Sequence, residues 1–338
     1  MKEIATIGLD LAKNVFQVHG IDARGKVLAR RQLRRAEVLG FFANLPPCLV
    51  GMEACATAHH WAREIGKRGH EVRLIPPAYV KPYVKRGKTD AADAEAIAEA
   101  VTRPTMRFVA VKSAEQQGVL MLHKTRDLLT RQRTALINAL RGHVGELGII
   151  APQGAQNVAK LIQALRAAGE DVPELARSAL HTLIDQFGLL EIGIRKAEAG
   201  IVAWHKVNEA SRRLATIPGV GPITASAIAA TVPDARLFGS GRQFAAWLGL
   251  TPQPRSSGGK ERLGRISRQG NAYVRRLLVT GMTAVLRYTR ADGRRNPWAA
   301  KLLECKPARL VTVALANKTA RVAWAMLARN ESYAAPAA

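Results

Sequence analysis

Four acidic side chains in a basic chain carry the first chemical signal. "IGLDLAK" puts Asp10 at the end of an apolar run, and "GMEACAT" does the same for Glu53. "KTDAADAEAIAE" sets Asp90 and Asp93 three residues apart, on one face of an alanine-rich segment that reads as the opening of a helix. The whole chain has 51 Lys and Arg against 26 Asp and Glu, a formal charge of +25. Carboxylates gathered at one point repel one another, and partial burial raises the cost unless a cation offsets it. Magnesium or manganese suits such a group. Two such ions held by oxygen ligands can activate the attacking oxygen and stabilise the leaving oxygen of a phosphodiester. Singly, each acid has an ordinary reading: Asp10 as a helix cap, Glu53 as a surface acid, Asp90 and Asp93 as charges at a helix N-terminus. Together, with two of them directly following apolar strands, they point to a metal site.

The elements that must position these acids read as βββαβαβ. "IATIGLD", "VFQVHGID" and "VLARRQL" form an antiparallel meander, followed by a helix around Val38 to Asn44. The strand "CLVGMEA", a helix from His59 to Gly69 and the strand "EVRLIP" follow. Carboxylates on the first and fourth strands and on a later helix converge only if those strands are neighbours in one mixed sheet. That arrangement is a ribonuclease H-like (RuvC-like) α/β domain, assigned to residues 1–108.

Residues 109–212 read as helical, broken at "GIIAPQG" and "GEDVPE". Leu180, Leu183, Phe187, Leu190, Ile194, Ala197, Ile201 and Trp204 form a seam of alternating threes and fours. The seam has two readings, a coiled-coil or hairpin interface and a helix packed within its own domain. Residues 213–330 form a second helical region. In it "PGVGP", with Gly219 and Gly221, resembles a helix-hairpin-helix turn offering backbone amides to a phosphate. The ending, residues 331–338, reads as a disordered tail.

The segment "QPRSSGGKERLGRISRQGNAYVRRLL" holds Arg255, Lys260, Arg262, Arg265, Arg268, Arg275 and Arg276, with Glu261 the sole acid. Its glycines let a loop follow a sugar-phosphate backbone closely. Nucleic acid is therefore the first expected partner, and an anionic membrane surface its rival. No apolar run approaches the ~20 residues that span a bilayer, so a soluble, cytoplasmic protein is expected. Cys48, Cys55 and Cys305 match no disulfide or zinc spacing and read as packing residues. Aromatics are only 5% of the chain, which favours backbone recognition over base stacking.

"IGLDLAK", "GMEACAT" and "KTDAADAEAIAE" resemble the D, E and DxxD motifs of the DEDD transposases of bacterial insertion sequences, the insertion-sequence 110 family and its 1111 subgroup. "GLTP" and "GRISRQG" resemble the second conserved domain of that family. The resemblance implies a metal-assisted DNA recombinase in which Ser257, or its neighbour Ser256 if the alignment slips by one, attacks DNA and forms a covalent intermediate. It further implies donor and target DNA as substrates, a structured noncoding guide RNA, self-association through the Leu180–Trp204 seam with dimers that assemble into tetramers at synapsis, and association with the bacterial nucleoid. Two other readings stay open: a nuclease or junction resolvase using water on the same four acids, and a nucleic-acid-binding protein without catalysis.

Overall fold

A computed structural model of the chain describes residues 3–85, 87, 89–260 and 262–334. The chain divides into two compact units, residues 1–117 with 231–239, and residues 118–230 with 240–338.

The first unit is built on a five-stranded mixed sheet. β1 (Thr6–Leu11), β2 (Val15–Ile21) and β3 (Val27–Arg34) form the antiparallel meander. α1 (Val38–Ala43) leads to β4 (Leu49–Glu53), and α2 (Ala58–Gly66) to β5 (Glu71–Ile75). α3 (Pro77–Val80) precedes α4 (Asp90–Val101). The sheet order is β3-β2-β1-β4-β5, with β4 parallel to both β1 and β5. One face packs Ile7, Leu9, Val50 and Met52 with Phe16, Phe42, Trp61 and Ile65 in a core supplied by α1 and α2.

The other face receives α4, and two glycines shape the seat. Gly8 and Gly51 are register partners on β1 and β4. A Cβ on Gly8 would overlap the Ala94 carbonyl and stand 2.5 Å from the Ala98 nitrogen. One on Gly51 would lie 2.8 Å from Val101 Cβ. The α4 surface that enters this slot is correspondingly small, with Ala94, Ala98 and Val101 all buried.

The second unit is mostly helical: α5 (Ala114–Glu146), α6 (Val158–Ala167), α7 (Glu174–Val207), α8 (Glu209–Leu214), α9 (Pro222–Thr231) and α10 (Gly241–Trp247), with α5 and α9 crossing the unit boundary. A short ribbon, β6 (Pro252–Pro254) and β7 (Leu263–Ile266), precedes α11 (Ala272–Ala291), α12 (Pro297–Cys305) and α13 (Ala308–Arg329). The α7 seam packs on α5 of the same chain. Arg126 and Arg133 of α5 pair with Glu198 and Glu191 of α7 at 2.7 and 2.8 Å, an antiparallel order. Gly193 and Gly200 are where the helices meet most closely, since a Cβ there would stand 2.9 Å from Leu129 Cδ1 and 3.1 Å from Leu122 Cδ1. These glycines therefore seat leucines of the partner helix, a tertiary gain that offsets their poor helix propensity.

Only Cys48 is packed; Cys55 and Cys305 are exposed. No helix among the described residues is long and apolar enough to cross a membrane. Of the ending, Glu331 to Ala334 lie beyond α13 outside regular structure, and the remainder falls outside the described residues.

The seat of α4 makes a direct prediction. Gly8→Ala forces helix and sheet apart and should destabilise the protein by about 2–4 kcal/mol in urea titration. Gly40→Ala, which meets open space within α1, should be neutral or stabilise by up to about 1 kcal/mol.

Candidate metal centre and nucleic-acid interface

α4 begins at the point where β1 ends. Thr89 caps it, its hydroxyl accepting from the Ala92 N–H at 3.2 Å, so the first turn and its two aspartates are held in place. Both carboxylates also lie in the favourable field of the helix N-terminus. Asp10 lies two residues beyond Gly8 and so shares the face on which α4 rests. Oxygens of Asp10, Asp90 and Asp93 all come within 4.8 Å of one another. Asp10 and Asp93 are half-buried and Asp90 is exposed.

Glu53 holds an outer position. The register that pairs Leu9 with Met52 places it beside Asp10, at the end of β4. It stands outside the close group of three, yet its charge acts on Asp10.

Electrostatics mark Asp10 as the strained member. Burial, then the charges of Asp93, Asp90 and Glu53, push its carboxyl from 3.8 up to about 6, against a lowering hydrogen bond from the Leu11 backbone. No Lys, Arg or His among the described residues forms an ion pair with Asp10, Asp90 or Asp93. Three converging oxygen donors without a protein cation fit a hard divalent ion. That ion would be held by Asp10, Asp90 and Asp93, with Glu53 at its margin.

In the second unit, the segment read from sequence as a loop is a hairpin. β6 and β7 pair antiparallel, and the bridge between Ser257 and Lys260 closes the tip, with Lys260 N–H donating to the Ser257 carbonyl at 3.1 Å. Gly258 and Gly259 have φ of 57° and 76°, the signature of a type I′ turn. The two serines differ. Ser256 Oγ accepts from the Arg262 N–H at 3.2 Å, whereas Ser257 Oγ makes no hydrogen bond among the described residues. Ser257 is thus an exposed hydroxyl at the start of a glycine turn. Glu261, the one acid of this segment, lies outside the described residues.

The cations divide by role. Arg255, Lys260, Arg262, Arg265 and Arg268 are exposed on the hairpin and its exit. Arg275 is half-buried and donates to the Leu248 and Gln269 carbonyls at 2.7 and 2.8 Å, so it pins the exit of the hairpin to the end of α10. Arg276 pairs with Asp127 and lies 5.4 Å from the Tyr273 ring centroid. The glycines of the "PGVGP" turn also differ. Gly219 has φ +80° and abuts α11, where a Cβ would meet Val285 and Met282 at 2.5 and 2.6 Å. Gly221 faces open space.

Sequence reasoning missed the glycine seat for α4 and the hairpin, although "SSGGK" carries the Gly-Gly signal of a type I′ turn. It also missed a buried polar relay, in which His123 Nδ1 and Nε2 lie 3.0 and 3.1 Å from Tyr273 and Ser226 and tie α5, α11 and α9 together. Burial lowers the His123 pKa to about 4, so the relay is neutral at ordinary pH.

These observations lead to two measurements. Because the folded Asp10 carboxyl titrates above its unfolded value, its contribution to stability is full below about pH 4 and is lost as pH rises through about 6. Metal-free Asp10→Asn should therefore melt higher than the wild type at about pH 8 and lose the thermal shift that magnesium gives the wild type. A wild-type protein whose melting ignores magnesium would remove the metal assignment. Neutralising exposed Arg262 and Arg265 together should lower duplex affinity and reduce the slope of log affinity against log salt by about 2. Arg275→Ala should instead lower the melting temperature, as the Leu248 and Gln269 carbonyls lose their donor.

Comparison with known proteins fits both units. The family model DEDD_Tnp_IS110, described as a transposase, matches residues 7–148, and that of the Transposase IS116/IS110/IS902 family matches residues 211–299. A probable family 20 transposase of Pseudomonas aeruginosa is 51% identical over 334 residues, covering 98% of both chains. The transposase for insertion sequence element IS1111A of Coxiella burnetii is 42% identical, covering 98% of this chain and 92% of its own. The transposase for element IS1328 of Yersinia enterocolitica is 39% identical, covering 96% and 97%. With both family models matched and such relatives aligned over nearly their full lengths, the chain belongs to the IS110 family of insertion-sequence transposases.

Proposed function

We propose that this transposase cuts and rejoins DNA strands through a covalent phosphoserine on Ser257, assisted by divalent metal, magnesium or manganese, at Asp10, Glu53, Asp90 and Asp93. In this reading residues 1–108 are a ribonuclease H-like (RuvC-like) catalytic domain, 109–212 a helical connector and 213–330 the serine domain. The order β3-β2-β1-β4-β5 with β2 antiparallel to β1 supports the first assignment. The observation that carries the serine is the contrast at the hairpin tip: Ser256 is engaged by its own ladder, and Ser257 is exposed and unengaged among the described residues.

Attack by Ser257 Oγ on the phosphorus forms the Oγ–P bond and breaks the bond from phosphorus to the leaving strand oxygen. The serine proton passes to a base and a proton reaches the leaving oxygen. The bond energy of the cut strand stays in the ester, so rejoining needs no outside energy source. The bound metal would supply charge neutralisation on the phosphate oxygens. Arg255, Lys260, Arg262, Arg265 and Arg268 surround the tip with positive charge that favours the developing phosphorane. The excess of +25 suits backbone recognition of both donor and target DNA and of a guide RNA, with dimers and synaptic tetramers as the working assemblies.

The decisive test is a covalent trap. Wild-type protein incubated with nicked substrate and magnesium, then denatured, should carry a nucleotide on the peptide containing Ser257. Ser257→Ala should bind DNA but leave none attached, and Ser256→Ala should keep most activity. Asp90→Asn should cut cleavage by about 100-fold or more without loss of folding. An adduct on Ser256, or clean cleavage with no adduct, overturns the assignment, and the latter favours a water nucleophile. RNA sequencing after nuclease-free purification tests the guide: recovery of one discrete element-encoded RNA supports it, and only random fragments refute it.

A further inference from the structure

β3 is an edge of the five-stranded sheet, with β2 its one neighbour in the sheet order, and its two faces carry different chemistry. Successive residues of a strand alternate between faces. Leu33 enters the core built with α1 and α2, which puts Arg31 on that face as well. Arg30, Gln32 and Arg34 therefore share the face on which α4 rests, and all three are exposed. α4 packs mainly on β1, β2 and β4, and its Glu95 lies 3.8 Å from Arg30. Past that ion pair, Gln32 and Arg34 form an exposed ledge beside the helix.

The ledge is in register with the acids. Asp10 pairs with Gln17, and Gln17 with Gln32. On the other side of Asp10 the register of Leu9 with Met52 brings in Glu53, so one row across the sheet reads Glu53, Asp10, Gln17, Gln32. At about 4.8 Å between neighbouring strands, the Gln32 backbone stands about 10 Å from that of Asp10, and Arg34 lies about 7 Å further along β3. The row thus spans about three nucleotides at 3.4 Å per base.

Charge changes along this row in the order that a phosphodiester strand requires. Next to the carboxylates come two neutral amides, which can donate to phosphate or sugar oxygens and leave the carboxylates free for a cation. A guanidinium at position 17 would instead pair with Asp10 and compete with that cation. The positive charge comes two strands out, at Arg34. Glu37 accepts from the Arg34 backbone N–H at 2.7 Å, and no ion pair holds the Arg34 side chain among the described residues. Arginines on an edge strand also keep it from pairing with another strand, but that task uses both faces alike and has no need of amides in the row of Asp10. We infer that the DNA strand processed at the acidic cluster runs along this row to the β3 ledge, with Gln17 and Gln32 donating to its backbone and Arg34 holding a phosphate. The choice of DNA rests on the reading of the acids given above; the ledge itself uses neither Ser257 nor the basic hairpin.

The test is binding of an intact DNA duplex of about 30 base pairs by the full chain in magnesium, read by fluorescence anisotropy across a salt series. Probe length is checked on a denaturing gel, so that turnover plays no part. Arg34→Ala should weaken binding by about 3-fold or more and lower the slope of log affinity against log salt by about 1, and Gln32→Glu should weaken it to a similar degree by repelling phosphate. Arg34→Lys should keep most of the affinity. Arg31→Ala removes the same charge from the same strand on the opposite face and should leave affinity within about 2-fold. All three positions are exposed, so the variants should fold, as melting will check. Equal losses for Arg31→Ala and Arg34→Ala, unchanged affinity for Arg34→Ala and Gln32→Glu, or a larger loss for an RNA duplex of the same length than for DNA would each overturn the inference. Protein that shows this face-dependent binding yet neither cuts DNA nor forms a serine adduct would refute the cutting chemistry alone; cutting with binding independent of Arg34 and Gln32 would refute the ledge alone.

Discussion

The close approach of α4 to the sheet, through the slot left by Gly8 and Gly51, is the constraint on which the acidic site depends. With any side chain at Gly8 the helix would have to lift away, because the atoms it meets are backbone atoms that cannot rotate aside. The same slot fixes the direction in which acids must be placed. Two residues beyond each glycine, on the same face, stand Asp10 and Glu53, and the first turn of the seated helix carries Asp90 and Asp93. Packing and charge placement are thus a single arrangement, and the apolar face on the other side of the sheet carries none of the four acids.

That arrangement works against itself electrostatically when empty of cations. Burial, together with carboxylate oxygens within 4.8 Å of one another, raises the pKa of Asp10. The helix N-terminus relieves some of this strain at Asp90 and Asp93, but a strand offers Asp10 only the Leu11 amide. A carboxyl held above its ordinary range by its surroundings costs stability once ionised, a pattern common at functional sites.

The second unit uses a different device. Its basic segment owes its shape to local turn chemistry: two glycines at positive φ close a hairpin, alternate residues point to opposite sides, and neighbouring serines acquire different environments. Behind the ribbon, long helices are brought to close packing at glycines, and buried polar contacts such as His123 with Ser226 and Tyr273 fix which helices meet. Several cations that look alike in sequence are separated by this packing into exposed charges and structural pins, with Arg275 the clearest case of the latter.

Much of this was legible in the residues. Alternation and turn signals located the strands of the first unit to within a residue or two, and the long helices followed their breaks at "GIIAPQG" and "GEDVPE", because these are local preferences written every few positions. The convergence of Asp10, Asp90 and Asp93 was legible too, since a charge ending an apolar strand is unusual wherever it occurs. What tertiary structure alone decided was distance and partnership. Glu53 stands outside the close carboxylate group, the α7 seam is satisfied by α5 of the same chain, and Gly219 serves packing while Gly221 stays open. A sequence pattern records what each segment prefers, whereas a site built between segments depends on how they pack.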